Sequence, residues 1–195
     1  STIASLEYLN RFHGPSLRTE ILRHLQVTET ALLDPDGAIN VFLPVDIFSI
    51  LKRSYRFQES QFTAMGHYSF IVNQAPAFTS AYRSVTLAKH LYERMFGDLL
   101  KIYERNCTYH LKELTNSICV VDCYSNQEVT QLLKTRHIGT RETCLWKAGL
   151  FTTAPQYLKL PYATVQETEC VHLGDRLCRY RINFSDAYRN FHQRI

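Results

Sequence analysis

Residues 162–184 read YATVQETECVHLGDRLCRYRINF, and this stretch decides the fold. Two extended runs, Tyr162 to Cys170 and Leu177 to Phe184, flank a loop holding Gly174 and Asp175, as two antiparallel strands joined at a turn would. Pro161 ends the helical pattern before them, and Ser185 caps a short last helix. Upstream, Cys107 to Leu114 and Ser117 to Tyr124 are also rich in β-formers, and Thr115 with Asn116 suits the turn of a second hairpin.

Elsewhere the pattern is mostly helical. Ile3 to Arg11 makes a first helix; Pro15 and Ser16 open a second, in which Leu17, Ile21, Leu22 and Leu25 share a face. Asp34 to Gly37 signals a turn, and Pro44 suits the first turn of a helix carrying Val45, Ile47, Phe48, Ile50 and Leu51. From Gly66 the alternation Tyr68, Phe70, Val72 predicts a strand or sheet edge that ends at Pro76. Val85 to Arg105 predicts the central helix, with Leu87, Leu91, Met95, Leu99 and Ile102 on one face; helical periodicity returns at Glu128 to Lys134 and Arg141 to Tyr157. The sum is an α+β fold, an antiparallel sheet packed against helices with a helical N-terminal layer. We expect a single domain over 1–195, mainly helical over 1–106, with the chemistry in 107–184 and a connector helix over 185–195.

A chain of 195 residues is long enough to bury one substantial core, and 45% apolar residues rule out a disordered composition. The charge of +4 comes from 22 basic residues scattered along the chain, which predicts no direct binding of nucleic acid. Neither an apolar run of spanning length nor a secretory leader is present, so a cytoplasmic location and no membrane are expected. Twelve Tyr and eleven Phe exceed what a minimal core needs and can line a pocket for an apolar or aromatic molecule. By position the candidates are Phe96, Tyr103, Tyr109, Trp146, Phe151 and Tyr157, each of which also reads as plain core.

Six cysteines in a reduced compartment are better metal ligands or buried thiols than disulfides. Cys170 and Cys178 stand on either side of the Gly174 turn, where two thiolates can approach one ion. Glu167 lies three residues before Cys170, so joint ligation requires a bulge that brings both to one face. Cys144, near the start of a helix, can complete a tetrahedral shell and tie helix to hairpin. Spacing alone leaves open that these are unlinked core thiols. Cys119 and Cys123, four apart, read as one core thiol and one facing solvent or an edge. His172 sits inside the proposed loop but finds the four positions already filled.

The run Glu167 to Ile182 resembles the closing signature of the 4-vinyl reductase-like domain, shared with the sensor domains of bacterial aromatic-responsive activators. The resemblance covers Cys119 to Ile182. It implies a structural zinc held by Cys144, Glu167, Cys170 and Cys178, and a fold similar to a vesicle-tethering subunit family, often dimeric. It also implies an enclosed pocket for a small aromatic effector, although the polar His and Trp pair that receives phenol in those sensors has no counterpart here.

No HExxH, GxSxG or glycine-rich phosphate loop appears among the eight histidines and seven glycines, so no catalytic residue is assigned. The expectation is a non-catalytic, ligand-sensing regulatory domain, a homodimer with a structural zinc, controlling a transcriptional or signalling output. Two alternatives stand beside it: an assembly module like the tethering subunits, and an accessory subunit in tetrapyrrole 4-vinyl reduction.

Overall fold

A computed structural model describes residues 2–33, 43–72, 84–100, 104, 106–132, 134 and 137–186. Helices α1 (Thr2–His13), α2 (Pro15–His24), α3 (Glu29–Leu33), α4 (Leu43–Tyr55) and α5 (Glu59–Val72) form the N-terminal layer. Helix α6 (Ala88–Arg94) runs on into a π-helical turn, Met95–Leu99. Strands β1 (Cys107–Leu114) and β2 (Ile118–Ser125) come next, then α7 (Gln127–Leu132) and α8 (Arg141–Thr153), which tightens into a 3-10 turn over Ala154–Leu158. Strands β3 (Thr164–Glu169) and β4 (Cys178–Asn183) complete the order. The expected α+β architecture is present: one antiparallel sheet in the order β1-β2-β4-β3, with helices packed against it.

The predicted strand from Gly66 is instead the second half of α5. Phe62, Met65, Ser69 and Phe70 are all buried, a helical spacing that outweighs the short alternation at Tyr68, Phe70 and Val72. Gly66 is the place where α5 and α8 touch. A Cβ there would collide with the Trp146 carbonyl, and one on Gly149 would collide with the Thr63 carbonyl, so the two backbones approach more closely than any side chain would permit. The turn at Asp34 to Gly37 and the helix after Ser185 fall outside the described residues.

The central helix is α8, not the predicted helix over Val85 to Arg105. One face of α8 gives Leu145 and Trp146 to a helical cluster built on Leu9, Ile21, Ile47, Phe48, Leu51 and Phe62. The other gives Cys144, Ala148 and Phe151 to a cluster against the sheet that includes Tyr92, Phe96, Val121 and Tyr180. A helix that buries side chains on two opposite faces lies between two layers, whereas a single-stripe helix lies on the outside. On α6 the stripe holds at Leu91 and Met95 but fails at Leu87, which is 41% exposed.

Candidate functional site: a thiol cluster beside a small cavity

Helix α8 and the β3–β4 hairpin meet at four side chains. One ligand atom from each of Cys144, Glu167, Cys170 and Cys178 lies within 4.8 Å of all the others. The Cys144 and Cys178 sulfurs are 3.5 Å apart. Glu167 reaches the cluster because the β3–β4 register shifts between Glu167 and Glu169, the irregularity that joint ligation requires. The loop is fixed from within. The Cys170 amide donates to Asp175 Oδ2 at 2.7 Å, the Leu173 amide donates to the Cys170 carbonyl at 2.9 Å, and Gly174 takes a positive φ of 106°.

Within the cluster Glu167 is only half satisfied. Arg141 pairs with Glu167 Oε2, and its Nη1 also reaches Cys170 Sγ at 3.5 Å. The other carboxylate oxygen, Glu167 Oε1, is buried with no hydrogen-bond partner. A buried carboxylate oxygen without a donor is costly, and an ion among the thiolates would satisfy it. Three sulfurs and one carboxylate suit a four-coordinate ion of thiolate-binding character.

A second buried group lies behind the first. Lys147, one turn along α8 from Cys144, is 4% exposed. Its Nζ is 2.7 Å from Glu104 Oε1, 2.9 Å from Cys107 Sγ and 3.6 Å from Cys123 Sγ, and Tyr109 also donates to Glu104. Burial disfavours the ammonium, but the surrounding thiols and Glu104 outweigh it and raise the Lys147 pKa. A hydrogen bond from Cys107, opposed by burial and aided by the Lys147 charge, pulls the Cys123 thiol down to about 7, while the same bond and burial push Cys107 up. Cys119 and Cys123 are both buried, which corrects the expectation of one solvent-facing or edge thiol: four apart on a strand, they point with Val121 to the same face of β2, the face packed into the core. Between the two groups opens a cavity of about 170 Å³, lined by Cys107, Cys123, Cys144, Lys147, Cys178 and Tyr180, with His137 and His172 among its other residues.

The aromatic residues named from sequence divide. Phe96, Tyr109 and Phe151 meet with ring centroids 5.0–6.3 Å apart and are almost wholly buried, packed as core against the sheet. Tyr157 packs partly buried beside them. Trp146 faces the helical layer and donates to Ser69 Oγ at 3.1 Å. Tyr103 lies outside the described residues. Sequence reading missed Lys147 and Glu104, although a signal existed: Lys147 lies on the same helical stripe as Cys144 and Phe151, and a lysine on a buried stripe needs a partner.

No protein-family model matches the chain, and no curated protein matches it. Solved structures do. An H-NOX protein from S. oneidensis in the Fe(II) ligation state superposes with a TM-score of 0.68 at 12% identity, covering 95% of each chain. An Fe(II) unliganded H-NOX mutant from K. algicida gives 0.65 at 11% identity, over 98% of this chain and 97% of that one. An oxygen complex of an H-NOX domain related to soluble guanylate cyclases gives 0.61 at 15%, over 93% and 91%. These likenesses overturn the expected membership of the 4-vinyl reductase-like family. That resemblance rested on a local run, whereas the H-NOX likeness spans the helical layer as well. The structural zinc falls with it: further structures of this fold are described by heme and its distortion, others by Fe(II), and zinc is named for none of these. At 11–15% identity the comparison establishes architecture, and this chain shares the fold of the H-NOX domains.

Proposed function

We propose that the chain is a non-catalytic sensing domain that binds a small molecule in the thiol-lined cavity, and that Cys144, Glu167, Cys170 and Cys178 hold one metal ion beside it. The observation that carries this reading is the shared wall: Cys144 and Cys178 belong both to the four-residue cluster and to the cavity. A ligand in the cavity therefore touches α8 and β4 together. If it prefers one spacing of helix and hairpin over another, it shifts the balance between them, which is what a sensor must do. Small-molecule binding also agrees with the fold, since solved examples include an Fe(II)NO state and an oxygen complex. The cavity has room for about five waters, the size of a small apolar or aromatic effector. The output it controls is transcriptional or signalling.

Elemental analysis and native mass spectrometry of protein purified without added metal test this reading. About one ion per chain, lost in Cys178→Ser together with a fall in Tm, is the expected result, with a small co-purifying mass on the wild type. Protein that carries no ion, and whose Tm a chelator leaves unchanged, overturns the metal site. Failure of every small organic probe to perturb the cavity residues by NMR overturns the sensing site.

A further inference from the structure

We infer that the described interior of this chain, although it has the fold of heme proteins, does not admit a heme. Three observations carry this. The first is space. Between α6, α8 and the sheet, Tyr92, Phe96, Tyr109, Phe151 and Tyr180 are each no more than 4% exposed. Phe151 packs edge-on against Phe96 at 5.0 Å and Tyr180 at 5.3 Å, and Tyr92 meets Phe184 at 5.1 Å. Interiors packed in this way have no slack for a macrocycle. The cavity of about 170 Å³ falls below the ~300–1,000 Å³ usual for pockets that enclose a cofactor-sized ligand.

The second is ligation. Heme iron takes an axial His, Cys, Met or Tyr. Of the eight histidines, all but His192 lie among the described residues, and none of those seven is buried. His67 is half-buried, but its Nδ1 is 2.6 Å from Thr153 Oγ1 at the seam between α5 and α8, away from the sheet. His172 is half-buried and His137 exposed, both at the cavity, their rings 6.4 Å apart. The thiols there are engaged with Lys147 or with one another, Met65 and Met95 are fully buried in the two cores, and the buried tyrosine hydroxyls are used as donors, Tyr92 to the Phe151 carbonyl, Tyr109 to Glu104 and Tyr180 to the Cys144 carbonyl.

The third is charge. A porphyrin's propionates need cations. Among the described residues the other cation lining the cavity, Arg176, is exposed, and the one buried ammonium, Lys147, already faces Glu104 at 2.7 Å and the Cys107 thiol at 2.9 Å. Seating a propionate there would leave the Glu104 carboxylate without its partner. A ligand held among the described residues is thus far smaller than a porphyrin.

The test uses the full chain, expressed with 5-aminolevulinate to raise heme supply, then titrated with hemin while the absorbance is followed. The expected result is under about 0.1 heme per chain by pyridine hemochrome assay, with a broad, non-saturating absorbance rise on titration. A sharp Soret band that saturates at one hemin per chain overturns the inference. That outcome would leave the four-residue metal site standing, because its occupancy is read from the Cys178→Ser comparison and not from heme.

Discussion

The helical cluster around Leu9, Ile47 and Phe48 and the sheet cluster around Tyr92, Phe151 and Tyr180 meet on the two faces of α8, yet they bury different chemistry. The helical cluster consists of aliphatic and aromatic side chains with Met65 and no cysteine, and the buried charge beside it, Glu142, is paired with Lys52 of α4. The sheet cluster contains all six cysteines and encloses Lys147. In the first, cohesion is spread over many replaceable apolar contacts, each of modest size. In the second, much depends on a few polar contacts in a low-dielectric setting, where a satisfied group costs little and an orphaned one costs a great deal. The contrast teaches that one core serves as scaffold and the other carries the site.

The sharpest break in this comparison is at the seam itself. Gly149→Val places a branched side chain on the Thr63 carbonyl and forces α5 off α8, separating both clusters at once. We expect a loss above about 4 kcal/mol, enough to abolish cooperative thermal unfolding by circular dichroism.

Next comes Lys147→Met. It leaves the partly buried Glu104 without its cation and held by the Tyr109 hydroxyl, at a cost of about 3 kcal/mol in urea unfolding, part of which Glu104→Gln in the same background should restore. The pH dependence follows from Glu104. Burial alone would raise its pKa, but Lys147 and the Tyr109 hydroxyl bring it below the ordinary carboxylate value. Its contribution is therefore complete above the unfolded value of about 4.3 and is lost as pH falls through the lower folded value. Wild-type stability should decline below about pH 4.3, and the Lys147→Met variant should lack that component.

In the helical cluster Ile47→Val should cost only about 1 kcal/mol, because the removed methylene leaves a small void in a purely apolar setting. An Ile47→Val loss as large as that of Lys147→Met would erase the distinction between the two cores. The smallest effect is expected at the surface. Arg18 pairs with Glu29, whose side chain is 57% exposed, and Arg18→Ala should change the urea midpoint by no more than about 0.5 kcal/mol equivalent.

Much of the fold was legible because its signals are local. Pro15, Pro44 and the Thr115 and Asn116 turn mark boundaries where the structure has them. Residues 66–72 were misread because a glycine followed by alternating aromatics imitates a strand, while the buried spacing from Phe62 to Phe70 has meaning only once α8 lies against it. Position in the hairpin pointed to Cys170 and Cys178, whereas the full set with Glu167 and Cys144 came from the resemblance, because nothing local ties Cys144, 34 residues from Cys178, to that loop. Lys147 was missed because its partners, Glu104, Cys107 and Cys123, are 24 to 43 residues away and on other elements.

By itself the sequence determined the order of helices and strands apart from α5, the pairing of each hairpin and the types of ligand atom available, because capping, turn chemistry and side-chain alternation act over a few residues. Tertiary structure alone decided that α8 lies between two cores, that the β3 irregularity turns Glu167 toward the cysteines, and that Phe96, Tyr109, Phe151 and Tyr180 pack ring against ring between α8 and the sheet. Those outcomes depend on which distant surfaces exclude water together, and long-range packing leaves no periodic trace in the chain.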